Sequence, residues 1–334
     1  MNSRVSCFML IGFALLVVGL AGGCGQQQAS ENIWVRYTSG NELVSSYVTG
    51  IAFDSLGNVY VASRGFPGGS ARGGVSKYDG SKWIKYSSGE GFPTDYVWSI
   101  AVDKNNAVWV GTDNGALKFT DFNNKKWEWV GPTGKDVWRI AIDDSDNKWF
   151  GTSDGLFMYN NNSWTNYSTS NGIVDNYIEC IRFDSSKNIW IGTCGGISKF
   201  DGSKWTNYST AEGLSGDLVR TLIIDNSNNV WCGVSTSSEN KICRLNSNGS
   251  WSYYGSSEGI PASVFWVFSS AVDKNGNIWF GTDEGLFKFD GNKFINYTIA
   301  DSQNDPVRLI WELAADRNNM WIGTDNGVYR YSGD

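Results

Sequence analysis

One pattern of apolar and polar positions recurs along the chain from about residue 33 to the carboxyl end. Each copy begins with an alternating apolar strand that ends in aspartate, followed by a polar turn and a second strand that ends in Gly-Thr except in the first and fifth copies. A further turn, a third strand and a Trp-x-x-Tyr segment complete the copy. Alternation with a period of two, bounded by Gly, Asn and Asp, predicts four short antiparallel strands per copy.

The spacing of the copies indicates the architecture. The aspartate that ends the first strand occurs seven times, at intervals of 40 to 49 residues, as Asp54, Asp103, Asp143, Asp184, Asp225, Asp273 and Asp316. Units of this length with four strands each are typical of propeller blades, which stack radially around a central channel. The sequence therefore predicts an all-β fold, a seven-bladed β-propeller over residues 33–334.

The two ends of the repeat region complement each other. Residues 34–37, Trp-Val-Arg-Tyr, match the outermost strand of a blade, but no blade precedes them. Residues 328–331, Val-Tyr-Arg-Tyr, match a third strand, but no fourth strand follows. We therefore expect the N-terminal strand to pair with the last blade and close the ring, which also protects a strand edge from aggregation.

The repeat resembles a known family. The pattern Ile-x-x-Asp-x-x-x-Asn-x-Trp-x-Gly-Thr-x-x-Gly-Leu is similar to the two-component regulator propeller repeat, and the resemblance extends over about residues 33–332. Members of that family often form the extracytoplasmic sensor half of hybrid histidine kinases. The sequence shows no kinase domain, so we do not expect direct signalling by this chain, and the resemblance makes a detached sensor partner of such a kinase one of the functions to consider.

Residues 1–23 have the pattern of a secretory signal. A short cationic start with Arg4 precedes an apolar core and a small-residue segment that ends at Cys24. A cysteine at this place resembles the bacterial lipoprotein box, so we expect a lipid on Cys24 and a polar tether over residues 24–32. The protein is then extracytoplasmic and anchored to the cell envelope, in the outer membrane if the host is Gram-negative. An uncleaved membrane anchor is the alternative.

Charge and composition narrow the functions. The formal net charge of −7 disfavours a nucleic-acid partner, because such binding depends on Lys and Arg that neutralise phosphates. Histidine is absent, which removes the commonest general base and the most frequent transition-metal ligand. We therefore expect a non-enzymatic protein with no cofactor and no metal, with catalysis by Asp, Glu, Tyr or Lys as the alternative. We also expect a monomer.

Most tryptophans recur at one of two fixed positions in the copies, on the second strand or on the fourth, and these are expected to pack the blades together. A few tryptophans lie at neither position. Four of these tryptophans lie where the chain enters the innermost strand of a blade. Charged residues accompany them at one mouth of the channel. Aromatic faces with a few polar groups suit a sugar or another flat polar ligand. Packing inside the channel is the alternative role. The predicted ligand-binding residues are Tyr47, Trp98, Trp138, Arg139, Tyr177, Glu179, Arg220, Trp266, Trp311 and Glu312.

Cysteines and aspartates raise two further expectations. Alignment of the copies places Cys232 opposite Cys243, and Cys180 near Cys194, so an exported protein could form two disulfides. Free thiols are the alternative. Each repeated aspartate is expected to bind the backbone of its hairpin turn. Calcium binding is the less favoured reading, since the 273–277 stretch lacks the distal glutamate of a calcium loop.

Three functions follow. The first is a cell-envelope lipoprotein that acts as a non-enzymatic ligand-binding or sensor-like propeller, with a small molecule or glycan on the mouth face. The second is a protein-interaction scaffold that partners a two-component sensor kinase. The third is a propeller hydrolase or lyase, which is disfavoured because Glu179 and Glu312 are the only acidic residues at the expected mouth positions.

Overall fold

The computed structural model describes residues 33–40, 42–65, 71–160, 163–236, 241–299 and 306–332. Within these ranges, 28 strands form seven separate four-stranded sheets, and every neighbouring pair in a sheet is antiparallel. The predicted seven-bladed β-propeller is therefore confirmed. The predicted signal, the tether and Cys24 lie outside the described residues.

The first four blades follow the order of the chain, from the innermost strand outwards. After β1 (Ile33–Tyr37), they comprise β2 (Val48–Phe53), β3 (Val59–Ser63), β4 (Gly74–Tyr78) and β5 (Trp83–Ser87); β6 (Val97–Val102), β7 (Val108–Thr112), β8 (Gly115–Asp121) and β9 (Lys126–Trp129); β10 (Val137–Ile142), β11 (Lys148–Thr152), β12 (Gly155–Asn160) and β13 (Ser163–Tyr167); and β14 (Ile178–Phe183), β15 (Ile189–Thr193), β16 (Gly196–Phe200) and β17 (Trp205–Tyr208).

The last three blades complete the ring. They comprise β18 (Leu218–Ile224), β19 (Val230–Ser235), β20 (Ile242–Leu245) and β21 (Trp251–Tyr254); β22 (Val267–Val272), β23 (Ile278–Thr282), β24 (Gly285–Phe289) and β25 (Phe294–Tyr297); and β26 (Ile310–Ala315), β27 (Met320–Thr324) and β28 (Gly327–Ser332) with β1. Four 3-10 turns lie between blades, at Ser88–Glu90, Thr169–Asn171, Thr210–Glu212 and Ser256–Glu258.

Strand β1 is the outermost strand of the seventh blade. It pairs antiparallel with β28, in a register that sets Trp34 opposite Tyr331 and Tyr37 opposite Val328. The rings of Trp34 and Tyr331 pack with their centroids 4.6 Å apart. The first residues of the repeat region thus complete the last blade, as the sequence predicts.

The tryptophans of the second strands pack between blades. They are at most 4% exposed, at Trp109, Trp149, Trp190, Trp231, Trp279 and Trp321. Trp231 in the fifth blade contacts Phe289 in the sixth, with centroids 4.9 Å apart. Trp321 in the seventh blade lies 6.4 Å from Tyr78 in the first, so the same contact crosses the closure. The repeated aromatics therefore hold neighbouring sheets together.

The repeated aspartates bind their own hairpins. Oδ1 of Asp103 accepts the backbone N–H groups of Asn105 and Ala107, and Oδ2 accepts the indole N–H of Trp109 at 3.0 Å. The same Asp–Trp bond recurs in the other blades except the first, where the Tyr60 hydroxyl replaces the indole. The expectation that these carboxylates stabilise turns is confirmed.

The described part of the chain contains no helix that is long and apolar enough to cross a membrane.

Candidate functional site

Every innermost strand carries a β-bulge at the same place. The pairing with the second strand skips one residue, for example between Val97 and Ser99 and between Ile310 and Glu312. A bulge leaves one residue outside the ladder and re-aims its side chain. The skipped residues of blades one to seven are Thr49, Trp98, Trp138, Glu179, Arg220, Phe268 and Trp311.

The bulges surround one cavity, which we call the mouth cavity. Its volume is about 250 Å³, and six of the seven skipped residues line it. Tyr47 and Tyr177, each directly before an innermost strand, and Arg64, after β3, line it as well. Eight of the ten predicted ligand-binding residues therefore meet here, namely Tyr47, Trp98, Trp138, Arg139, Tyr177, Glu179, Arg220 and Trp311.

Aromatic rings follow each other around much of the mouth cavity. On one side the ring centroids of Trp98 and Trp138 are 4.6 Å apart, and Trp138 stacks on Tyr177 at 5.9 Å. On the other side, Tyr47 lies 5.4 Å from Trp311, whose ring lies 4.3 Å from Phe268. The wall thus offers broad apolar faces beside polar groups.

Arginines are interleaved with these rings. The guanidinium of Arg64 lies 4.6 Å from the Trp98 centroid, and that of Arg220 lies 4.3 Å from the Trp266 centroid. Trp266 therefore packs against Arg220 and is not itself part of the lining, where the sequence had placed it. Arg139 donates through one terminal nitrogen to the carbonyl of Trp138 at 3.0 Å.

A second, smaller cavity of about 70 Å³ adjoins the first, and we call it the lower cavity. Both cavities share Thr49, Arg139 and Arg220, so these three residues lie at the boundary between them. Glu312 lines only the lower cavity, together with Arg182, rather than the mouth where it was expected. Burial raises the pKa of the Glu312 carboxyl, and Arg139 and Arg182 offset this only in part.

Several polar groups of the wall have no hydrogen-bond partner among the residues that the structure describes. The buried indole nitrogens of Trp138 and Trp311 and the Nε atom of Arg220 have no acceptor. By contrast, the indole N–H of Trp98 donates to Asp136 at 3.3 Å. Burial raises the pKa of the Tyr47 and Tyr177 hydroxyls, which therefore remain protonated at neutral pH. The wall is rich in hydrogen-bond donors.

Three residues of the wall are not among the predicted ligand-binding residues, namely Val48, Thr49 and Arg64, and Phe268 is not among them in the layer beneath. The insertion that carries Arg64 was expected on the mouth face, but Arg64 was not assigned to the site. Thr49 and Phe268 hold the same bulge position as the tryptophans, directly after a buried Val. That position, aligned over seven blades, is the signal that would have identified them. Arg64 belongs to the irregular insertion of the first blade, so no alignment could have placed its side chain.

The four cysteines among the described residues, Cys180, Cys194, Cys232 and Cys243, are free thiols. Cys232 and Cys243 are directly opposite each other, as predicted, but the Cys232 thiol contacts the Cys243 carbonyl at 3.4 Å. The Cys243 thiol lies 3.0 Å from the hydroxyl of Ser215. Each sulfur therefore has another partner, and the predicted bridge is absent.

The second predicted bridge is geometrically wrong. Cys180 pairs with Gly192, whereas Cys194 lies two residues further along the neighbouring chain. Two strand residues span about 6.6 Å and neighbouring strands lie about 4.8 Å apart, so the Cα atoms are separated by roughly 8 Å. A disulfide requires less than about 7 Å. Cys180 is also buried, whereas Cys194 is exposed.

No group of three or more metal-ligating side chains occurs in the portion of the chain that the structure describes. The aspartates considered for calcium are engaged by Asn and Trp donors, as described above.

Comparisons with known proteins agree with this architecture. The two-component regulator propeller family model matches residues 91–114, 172–195 and 259–284, and a β-propeller repeat model matches residues 33–65. The chain carries two-component regulator propeller repeats. The three matched segments each include an innermost strand with its bulge, so these repeats supply Trp98, Glu179 and Phe268 to the central cavities. The comparison with curated proteins gives no significant match.

Solved structures with similar folds include extracellular domains of bacterial signalling proteins. That of BT4673 from B. thetaiotaomicron, assigned to a one component system and elsewhere to a hybrid two component system, shares 25% identity at a TM-score of 0.71. The extracellular domain of BT3049 from the same organism, assigned to a hybrid two component system, shares 21% sequence identity with this chain at a TM-score of 0.74. The alignments cover 92% and 91% of this chain, which spans about 40% of the first domain and 41% of the second.

An enzyme also shares the fold. Virginiamycin B lyase from Staphylococcus aureus has 14% identity and a TM-score of 0.70, over 90% of this chain and 99% of the lyase. A likeness at this identity reflects the propeller fold and carries no activity with it.

Proposed function

We propose that this propeller is a non-enzymatic, sensor-like ligand-binding module on the outside of the cell, and that its mouth cavity binds a carbohydrate. The observation that carries the proposal is the convergence of aromatic rings and charged groups on one cavity. Sugars are recognised in this way, through ring stacking and through hydrogen bonds to hydroxyls. The volume of about 250 Å³ lies just below the range of roughly 300–1,000 Å³ for drug-sized ligands and suits one or two sugar units.

The sensor-like role is supported by the similar extracellular domains of bacterial signalling systems. Ligand binding at the mouth would bring several blades together around one molecule, because the lining comes from the first four blades and from the fifth and seventh. Such a contact can favour one arrangement of blades over another, which is how a ligand shifts a conformational equilibrium.

A non-enzymatic role is supported by the chemistry of the chain. A virginiamycin B lyase in which alanine replaces one histidine is catalytically inactive. This chain has no histidine. Its mouth cavity holds one carboxylate, that of Glu179, so a pair of carboxylates for hydrolysis is not present in that lining.

The location belongs to the same proposal. The signal pattern of residues 1–23 and Cys24 supports export and lipid attachment, which would hold the propeller at the envelope. Metabolic labelling with a fatty acid tests this. Incorporation should disappear in Cys24→Ala, and label retained in that variant would contradict a lipid on this cysteine.

A glycan array with thermal unfolding of the same proteins tests carbohydrate binding. Trp98→Ala and Trp311→Ala should abolish binding while the melting temperature stays near that of the parent. Trp129→Ala is the matched control, because Trp129 is 39% exposed on the outer strand β9 and should affect neither property. If no glycan binds the parent protein, or if the two mouth variants bind normally, the proposal is wrong.

A further inference from the structure

The two arginines at the boundary of the cavities have one buried carboxylate near them, that of Glu312, which lines the lower cavity with both and is stabilised electrostatically by Arg139. Over the residues that the structure describes, neither Arg139 nor Arg220 forms an ion pair, although six other cations do. Arg220 lies over the rings of Trp266 and Phe268, and its Nε atom lacks an acceptor. Both side chains are partly buried, and a partly buried charge without a close ion pair loses hydration that an anion can replace. An anion bound between them would relieve that loss.

The balance of charges in the mouth cavity is positive. Arg64, Arg139 and Arg220 face it against the single carboxylate of Glu179. Glu179 belongs to the fourth blade, between the blades of Arg139 and Arg220, and it forms no ion pair with described residues. The protein as a whole is acidic, with a net charge of −7, so this local excess of cations is specific to the cavity.

We propose that the ligand is an acidic sugar, and that its carboxylate binds between Arg139 and Arg220 while its ring packs on the tryptophans of the mouth cavity. This inference rests on the carbohydrate-binding function proposed above and names its substrate class. A carboxylate is planar and accepts two parallel hydrogen bonds from a guanidinium. The unpaired indole N–H groups of Trp138 and Trp311 can supply further donors after small shifts of their rings.

The position of Glu179 favours a sugar with one negative charge over a phosphate ester. A phosphate monoester carries nearly two charges at neutral pH, and a carboxylate in the same cavity would repel it. A hexuronic acid carries one charge and also has hydroxyl groups, which can donate to Glu179. The wall of three guanidinium groups and one carboxylate therefore complements a hexuronic acid unit.

Calorimetric titration with matched pairs of sugars tests the inference. The probes are galacturonic acid and galactose, glucuronic acid and glucose, short oligomers of each acid, the methyl ester of galacturonic acid, and galactose 6-sulfate. The acid should bind at least about tenfold more tightly than its neutral partner and its methyl ester, as expected for a lost charge-assisted hydrogen bond. The preference should weaken as the salt concentration rises.

Variants of the boundary arginines make the test specific. Arg139→Gln and Arg220→Gln should reduce the ratio of acid to neutral affinity towards one, and Arg220→Lys should retain part of it. Glu179→Gln should strengthen binding of the acid, since a repulsive charge is removed. Arg308→Gln is the matched control, because Arg308 pairs with Glu284 away from the mouth cavity and should change nothing. Thermal unfolding of every variant checks that the fold persists.

The outcomes separate this inference from the proposed function. Equal binding of the acid and its neutral partner would overturn acid recognition and leave carbohydrate binding intact. Tighter binding of the sulfate ester than of both uronic acids would contradict recognition of a carboxylate. Failure of every sugar to bind would overturn the proposed function itself, and this inference with it.

Discussion

The indole N–H of Trp279 donates to Oδ2 of Asp273 at 2.8 Å, and this one carboxylate joins two strands of the sixth blade. Its other oxygen accepts the backbone N–H groups of Asn275 and Asn277, both at 2.9 Å. The carboxylate therefore satisfies a buried indole and fixes the hairpin turn at the same time. The same arrangement recurs around the propeller.

Loss of this carboxylate should destabilise the fold. Asp273→Ala leaves a buried indole N–H unsatisfied, so we expect a loss of about 2–3 kcal/mol in the free energy of unfolding. Denaturation in urea measures it. Asp290→Ala is the control, since Asp290 accepts two backbone N–H groups in an exposed turn but binds no indole. A loss as large in the control would show that the indole bond contributes nothing.

The same carboxylates should make stability sensitive to acid. Burial raises the pKa of Asp184, but hydrogen bonds from Trp190 and Asn188 outweigh it, and the net pKa is lowered. The pKa values of Asp225 and Asp273 are lowered by the same kinds of donor against the effect of burial. Because the folded pKa lies below the unfolded value, the stabilisation is complete above the unfolded pKa of about 3.9 and is lost as pH falls through the folded pKa.

We therefore expect a free energy of unfolding that stays nearly constant from neutral pH to about pH 5 and declines below about pH 4. Urea denaturation at a series of pH values measures this dependence. The variant Asp225→Asn should show a shallower decline, because it removes one of the titrating groups. A decline centred near neutral pH would contradict the role assigned to these carboxylates.

Closure by β1 should be required for a stable ring. A chain that begins at residue 39 lacks the strand that pairs with β28, so the packing of Trp34 on Tyr331 is lost and an edge is exposed. We expect a lower melting temperature and aggregation in size-exclusion chromatography. A chain that begins at residue 32 keeps the strand and serves as the control. Equal stability of the two chains would show that the ring does not need this pairing.

Oxidation should distinguish the two cysteine pairs. The backbone bond between Val234 and Lys241 places Cys232 and Cys243 in a hydrogen-bonded pair two residues away, with Cα atoms about 5.5 Å apart, within disulfide range. The neighbouring Cys232 side chain and the Ser215 hydroxyl lower the pKa of the Cys243 thiol to about 7, which favours its reactive form.

A mild oxidant should therefore remove two hydrogen atoms from this pair, seen by mass spectrometry of the intact protein and its peptides. Cys180 and Cys194 are the internal control, since their separation prevents a bridge. A linked Cys180–Cys194 peptide in the folded protein would contradict the geometry described here.

The sequence predicts the fold closely because the information is repeated. Seven copies of one pattern, each marked by its aspartate and most of them by Trp and Gly-Thr, fix the number of blades. The unmatched strands at residues 34–37 and 328–331 predict the closure. The site is predicted less completely. Trp98, Trp138 and Trp311 were recognised because they depart from the repeated registers, but the depth of each side chain in the channel was not evident.

The sequence analysis misplaced residues where a shift of one position along a strand changes which cavity a side chain lines. Glu312 follows a bulge residue and lies in the lower cavity, whereas Trp311, one position earlier, lies in the mouth cavity. The long side chain of Arg220 covers the Trp266 ring, so Trp266 does not line the mouth cavity. The predicted Cys180–Cys194 bridge failed for a related reason, since a shift of two residues along one strand exceeds the reach of a disulfide.

The bulges have a consequence for how such a protein can evolve new binding specificities. Each bulge residue lies outside the ladder, so the hydrogen bonds of its blade do not depend on which side chain it carries. Threonine, tryptophan, glutamate, arginine and phenylalanine all occupy this position among the seven blades. A lineage built on this scaffold can therefore exchange recognition chemistry one blade at a time, and seven independent positions suffice to generate a wide range of specificities on an unaltered frame.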